Sequence, residues 1–254
     1  MIDWCREFRG YKADGTVDLC WDVINYHLYA NDARTSQGGQ ASRGAAPEVS
    51  GAARVAREFM AFAHQYARGM PVWITETGYD LHPASPFKAM AIGRKPAAQT
   101  QADWILRSSL LYARNGVERV FFYQLVDDRA NSPVQFSTSG LINQDRSRRP
   151  AADYLRQVNE LLGDYAYQET LSQDPLVDRY AHQDKSVYVL VVPDEKDRKA
   201  TVTLDLGSAA AAFVYRPQAG QDHMSREKLK TRQGKLTIPV TETPVFVCAA
   251  PAGQ

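Results

Sequence analysis

The chain has 254 residues, 44% of them hydrophobic and 23% charged, with a formal charge of +1 at pH 7. That balance specifies ordinary globular packing in one large domain or two small ones, and a near-neutral chain with no basic block or RNA or DNA module signature excludes nucleic acid as the natural partner. No apolar run approaches the ~20 residues of a membrane span, and the opening MIDWCREFRG lacks the apolar core of a signal peptide, so the chain reads as soluble.

Residues 3–12 place Trp4, Phe8 and Tyr11 at helical spacing, and Asp14-Gly15 stops that helix. VDLCWDVINYHLY (17–29) is a strand candidate, strongest from Asp22 onward. A long loop rich in Gly, Ser and Asn covers 31–47; loops of that length inside a compact domain are usually functional. A helix is expected over 48–66, with Val55, Phe59 and Phe62 on one face. PVWIT (71–75) is a short apolar strand of the fully buried kind, and a second long loop runs over 76–98. A helix follows over 100–114, closed by Asn115-Gly116. VERVFFYQL (117–125) is the third strand. A third loop reaches Arg149, and Pro150 opens a helix to Leu162 with Gly163 as its stop.

The first ~165 residues thus alternate strand, loop and helix three times, which calls for parallel strands joined by crossover helices. The loops after the strands are long and those before them short. In a (β/α) barrel the chemistry sits on the loops after the strands, although an open doubly wound sheet gives the same asymmetry. From about 165 the chain turns to short β-rich runs, among them DRYAHQ, SVYVLVVPD, ATVTLDL, AAFVYRP, GKLTIPV and TPVFVCA. They read as a small antiparallel sandwich. The expected domains are therefore 1–164 and 165–254.

Three strand ends carry polar groups that parallel strands would bring to one pocket. In INYHLY, the period of two puts Asn25, His27 and Tyr29 on one face. Glu76 follows PVWIT, where an apolar run breaks into a Gly turn. FFYQLVDD supplies Tyr123, Gln124 and the acids Asp127 and Asp128. A carboxylate among a His, a Tyr and an aromatic platform suits cleavage of a glycosidic bond: sugar C–H faces stack on the ring, and the carboxylate stabilises or attacks an oxocarbenium-like centre.

On these residues the chain resembles a known family. PVWITETGYD resembles the seventh-strand motif of the retaining clan A glycoside hydrolases, DVINYHLY their sixth strand, and VERVFFYQLVDD their eighth, where a Trp commonly forms the sugar platform and this chain has Tyr123. The segment 150–162 resembles the last barrel helix, and the β-rich tail resembles the accessory sandwich that many of these enzymes carry. The resemblance implies a partial (β/α)8 barrel, its last three β/α units, followed by a β-sandwich. It implies Glu76 as nucleophile, His27 and Tyr29 as residues that orient it and bind sugar, and Tyr123 as stacking platform. It implies an oligo- or polysaccharide substrate and no cofactor. Apart from the resemblance, Asn25 and Asp127 are candidate substrate contacts by position, and Asp127 and Asp128 read first as loop-capping or rim residues.

A retaining enzyme also needs an acid/base carboxylate about 5–5.5 Å from the nucleophile, which in this clan follows an Asn after the fourth strand. The Asn159-Glu160 pair sits inside a helix (LRQVNELLG), the wrong place. The expectation is therefore the C-terminal part of a longer glycosidase, inactive alone, with a missing N-terminal half or a second chain completing the barrel. The alternatives are a non-catalytic carbohydrate-binding or scaffold protein, and an open-sheet α/β protein in which Glu76, His27 and Tyr123 do not converge.

Plainer readings apply elsewhere. Trp73 and Trp104 are expected in the core. His64, His82, His182 and His223 have no metal-ligand spacing. RSRR (146–149) is expected to be a solvated turn. Cys5, Cys20 and Cys248 form neither a disulfide framework nor a zinc motif and read as small buried or half-buried residues.

Overall fold

Apolar runs at 24–26, 72–74 and 120–122 become adjacent strands because each has a side-chain row to hide from water. In the computed structural model, which describes residues 1–33, 39–67, 70–129 and 132–251, these are β1 (Ile24–His27), β2 (Val72–Thr77) and β3 (Arg119–Phe122), parallel and in the order β1-β2-β3. Parallel neighbours require crossover connections. Helix α1 (Ile2–Phe8) precedes β1; α2 (Pro47–Ser50) and α3 (Ala52–Tyr66) link β1 to β2; α4 (Ala97–Arg114) links β2 to β3; α5 (Pro150–Leu162) follows β3. The helix expected over 48–66 is divided at Gly51, whose left-handed φ of 97° turns the chain between α2 and α3. The first helix is shorter than expected, ending at Phe8 before Gly10 with φ 79°.

One face of this sheet is covered. Ile24, Tyr26, Val72 and Ile74 pack with Ala56 and Ala63 of α3 and Leu111 and Tyr112 of α4, and the Tyr26 ring stacks on Phe59 at 4.1 Å. The other face is open: Asn25 and His27 are exposed, and Phe121 is 46% exposed. Trp73 corrects an expectation. Val72 and Ile74 hold the core positions, so alternation puts Trp73 on the open face, half-buried against Phe121 and under the Arg119 guanidinium at 5.2 Å. Trp104 is fully buried.

The remaining strands are β4 (Ala166–Gln173), β5 (Leu176–His182), β6 (Lys185–Val191), β7 (Ala200–Asp205), β8 (Ala211–Arg216), β9 (Ser225–Lys230), β10 (Lys235–Val240) and β11 (Val245–Ala249). They form a six-stranded antiparallel sheet, β4-β5-β6-β11-β8-β9, and a separate antiparallel pair, β7 and β10. The larger sheet is apolar on both sides at its centre. Tyr180, Val187, Val189 and Phe246 join Trp104, Ile105 and Tyr154 of α4 and α5 in one cluster. Val177, Leu190, Val214 and Val247 face Val202, Leu204, Leu236 and Ile238 of β7 and β10. The first cluster therefore runs on from the helices into the tail. β4 and β9 leave no strand pattern in the residue order because they are sheet edges: SREKLK and most of AYQETLSQ are too solvent-exposed to show an apolar row.

Ion pairs fasten the same junction. Arg107, fully buried, donates through Nη2 to Glu48 at 2.6 Å and through Nη1 to the Asp194 carbonyl at 3.0 Å. Lys95 bridges Asp103 at 2.9 Å and Glu242 at 2.7 Å. RSRR is solvated as expected over Arg146, Ser147 and Arg148, with Arg148 reaching the exposed Asp222 at 2.7 Å, whereas Arg149 departs from that reading and is buried in an ion pair with Asp127. Among the described residues no helix is long and apolar enough to cross a membrane. Arg107→Ala leaves the Glu48 carboxylate without its partner and is expected to cost ~3–5 kcal/mol in urea unfolding; a loss below ~1 kcal/mol contradicts this role for the pair.

Candidate functional site

The carboxyl ends of the three strands meet through the backbone. Leu28 N–H donates to the Glu76 carbonyl at 3.1 Å, and Tyr123 N–H donates to the Thr77 carbonyl at 2.8 Å. Along β1 and β2 the register runs Tyr26 to Ile74 and then His27 to Glu76, so Thr75 is an extra residue in β2. Such a bulge shifts the side-chain alternation by one. Without it, Thr75 would lie beside His27 and Glu76 would point to the opposite face.

The result is a three-residue contact. The Tyr29 hydroxyl donates to Glu76 Oε2 at 3.1 Å, and His27 Nδ1 lies 3.4 Å from the same oxygen. Burial, followed by the bond to Glu76, pushes the Tyr29 phenol far above its usual range, so it remains a protonated donor. Glu76 Oε1 accepts no hydrogen bond among the described residues and is free to meet a ligand. The carboxylate is 36% exposed and His27 is 52% exposed, so the corner opens to solvent.

Aromatic rings hold Tyr29 in place. Its ring lies 4.7 Å from Phe136 and 5.3 Å from Phe87, and Tyr123 meets Phe136 edge-on at 5.9 Å. Tyr123 thus joins the same cluster as Tyr29. Gly78 lets the loop after β2 pass close to Tyr123: a Cβ there would sit 2.5 Å from the Tyr123 carbonyl oxygen. The Tyr123–Gln124 peptide is cis.

Asp80 organises this shell and went unnoticed in the sequence. Its carboxylate is 1% exposed. It accepts hydrogen bonds from the Ser85 hydroxyl, from Phe136 N–H at 2.9 Å, and from Thr138 N–H at 3.4 Å and Oγ1 at 3.3 Å. Ser85 Oγ in turn accepts from Phe87 N–H at 3.1 Å. One buried carboxylate therefore fixes the two loops that supply Phe87 and Phe136. The available signal was its place in ETGYD, four residues after Glu76. Phe87 and Phe136 carry no local signal, because they meet Tyr29 only through the fold.

Asn25 shares the open face with His27 as expected, accepts from Thr75 Oγ1 at 3.3 Å and lines a groove of about 660 Å³ with Ile2, Arg6, Trp21, Phe62 and Tyr66. It lies two residues back along β1, toward the opposite end of the strand. Asp127 is 4% exposed, paired with Arg149 and bonded by Gly140 N–H at 2.8 Å. Its carboxylate closes the loop after β3 instead of facing a ligand. Glu160 projects from α5 to His223 at 2.9 Å. Among the described residues no group of three or more His, Cys, Asp or Glu side chains could hold a metal ion.

No protein-family model and no curated protein matches the sequence. Solved structures do match. A family 39 glycoside hydrolase from Bacteroides cellulosilyticus WH2 superposes with a TM-score of 0.66 at 19% identity, over 90% of this chain and 44% of that one. The chain shares its fold with part of a glycoside hydrolase. CelM2, a bifunctional glucanase-xylanase from a metagenome library, gives 0.58 at 12% identity, over 98% of this chain and 47% of its own. A family 44 xyloglucanase from Paenibacillus polymyxa gives 0.56 at 11%, over 98% and 50%. The chain spans about half the length of each.

Asp80→Asn keeps the size but turns an NH2 group toward N–H and O–H donors. It is expected to lower stability by ~1–3 kcal/mol and to speed protease cleavage within 81–95 and 132–140. Unchanged stability with unchanged cleavage contradicts the organising role of Asp80.

Proposed function

We propose that this chain is the nucleophile-bearing part of a retaining glycoside hydrolase acting on an oligo- or polysaccharide. The observation that carries the reading is the Glu76 corner: a partly open carboxylate with one oxygen held by Tyr29 and beside His27 and the other free, at the carboxyl ends of parallel strands. The likeness to glycoside hydrolase folds supports it. In this reading β1, β2 and β3 are the last three strands of a (β/α)8 barrel occupying 1–164, and 165–254 is an accessory β-sandwich.

The chemistry follows from the two carboxylate oxygens. Oε2, neutralised in part by the Tyr29 hydroxyl and aimed by His27, fixes the plane of the group. Oε1 attacks the anomeric carbon as the glycosidic C–O bond breaks and the departing oxygen takes a proton from a general acid. Water then hydrolyses the Glu76 ester, with the conjugate base of that acid accepting the proton. Tyr123 offers a ring for the sugar face. Asp80 and Asp127 are committed to buried donors and Glu160 lies on α5 with His223, so the acid/base is assigned to the polypeptide that completes the barrel. That polypeptide, an N-terminal half or a second chain, covers the open face around Trp73 and Phe121 and pairs with the free edges of β1 and β3. A carbohydrate-binding protein without turnover is the second reading, favoured by the absence of another carboxylate in contact with Glu76 among the described residues.

In the barrel-complete protein, an activated 2-fluoro glycoside is expected to label Glu76, located by peptide mapping; a label on any other residue overturns the assignment. Tyr29→Phe removes one donor to a charged acceptor and is expected to lower kcat/KM by roughly ten- to a hundredfold; full activity in this variant contradicts the Tyr29 role. Without its complement the chain is expected to self-associate in sedimentation velocity, and Phe121→Lys to reduce this. Equal monomer content in both proteins counts against the open face as a docking surface.

A further inference from the structure

The segment between α1 and β1 folds back on itself. Tyr11 pairs with Val17 in an antiparallel bridge, Asp18 N–H donates to the Gly10 carbonyl at 3.0 Å, and Arg9 reaches Asp18 at 2.9 Å. This reversal carries two thiols, fifteen positions apart in sequence, to each other: Cys5 Sγ lies 3.9 Å from Cys20 Sγ. Cys5 is buried on α1, whereas Cys20 is exposed at the lead-in to β1. The third cysteine, Cys248, sits on β11 with no sulfur partner among the described residues.

We propose that Cys5 and Cys20 form a reversible intramolecular disulfide that fastens α1 to the lead-in of β1. The asymmetry of exposure sets the order of events. Cys20, as thiolate, attacks one sulfur of a small-molecule disulfide such as oxidised glutathione and expels one thiol equivalent. Cys5, as thiolate, then attacks the Cys20 sulfur of the mixed disulfide and expels the second. Two protons leave the protein thiols, two thiol molecules are released, and the small-molecule disulfide is the two-electron oxidant. Closing the contact to a bond of about 2.05 Å needs the sulfurs to approach by a little under 2 Å, within the reach of side-chain rotation and a small adjustment of the exposed lead-in. The exposed position is the one an external disulfide reaches, and the buried one is held ready to resolve it.

The bond would act beside an exposed apolar surface. The outer side of α1 carries Trp4, 53% exposed, and Phe8, 64% exposed. Met1, Ile2, Asp3 and Arg6 line one side of the groove that Trp21 and Asn25 complete on the other. Joining Cys5 to Cys20 links these two walls covalently and fixes the groove's width. The inference is independent of the glycosidase reading.

The test is to incubate the folded chain with oxidised glutathione, alkylate remaining thiols with iodoacetamide, and digest with trypsin, which cuts at Arg6, Arg9 and Lys12 between the two cysteines. The expected result is a peptide carrying Cys5 joined to one carrying Cys20, separated by dithiothreitol, with Cys248 alkylated or glutathionylated. Oxidation is also expected to raise the melting temperature of the Cys248→Ser protein, and not that of Cys5→Ser/Cys248→Ser. Recovery of Cys5 as a free or alkylated thiol while Cys20 remains glutathionylated, or joining of either to Cys248 instead, overturns the proposal.

Discussion

One inserted residue governs the candidate site. Thr75 occupies a position in β2 that has no counterpart in β1, and the shift it causes carries Glu76 onto the face that His27 already occupies. A regular strand would direct the carboxylate to the opposite face and leave Tyr29 without its acceptor. Everything polar at this corner depends on that local irregularity, while the strands before it are ordinary apolar segments packed on α3 and α4. The bulge also lies at the end of the strand, where losing regular pairing costs least and where a long loop can follow.

The arrangement around Glu76 alternates polar and aromatic layers. Outermost is the half-exposed carboxylate with His27 and the Tyr29 hydroxyl. Behind it are the rings of Tyr29, Phe87 and Phe136, and behind those the buried Asp80 with its ring of N–H and O–H donors. Buried carboxylates are costly unless their acceptors are filled, and Asp80 has both oxygens occupied. Its charge therefore rigidifies two loops that share no secondary structure. This accounts for how Phe87 and Phe136, from two separate loops, hold a fixed relation to one tyrosine in a region made almost entirely of loops.

Much of the scaffold was legible in the sequence, for a definite reason. β1, β2 and β3 and helices α3, α4 and α5 each hide an apolar row, and such rows show in the residue order. The turn at Asn115-Gly116 follows from capping chemistry that is local, with Gly116 at φ 83°, whereas Gly163 after α5 stays right-handed. What escaped is non-local. Trp73 reads as a core residue because the open side of the sheet is not visible from one strand. RSRR reads as a solvated turn until Asp127 is found beside Arg149, and Asp127 reads as a rim acid for the same reason. β4 and β9 bury too little to leave a pattern. The convergence of Glu76, His27 and Tyr29 was inferred from strand order, whereas the bulge that permits it has no signature in TETG.

The open face of the β1-β2-β3 sheet links the fold to the proposed function, since Trp73 and Phe121 are left half-covered where a closed barrel would pack its interior. The central claim is that Glu76 addresses a sugar ring from this corner. The most direct measurement is a crystal structure of the barrel-complete protein with an oligosaccharide bound. It should show an anomeric carbon about 3–3.5 Å from Glu76 Oε1, with Oε2 still bonded to Tyr29. Density that places the saccharide elsewhere, or Glu76 turned into solvent away from Tyr29 and His27, would contradict it.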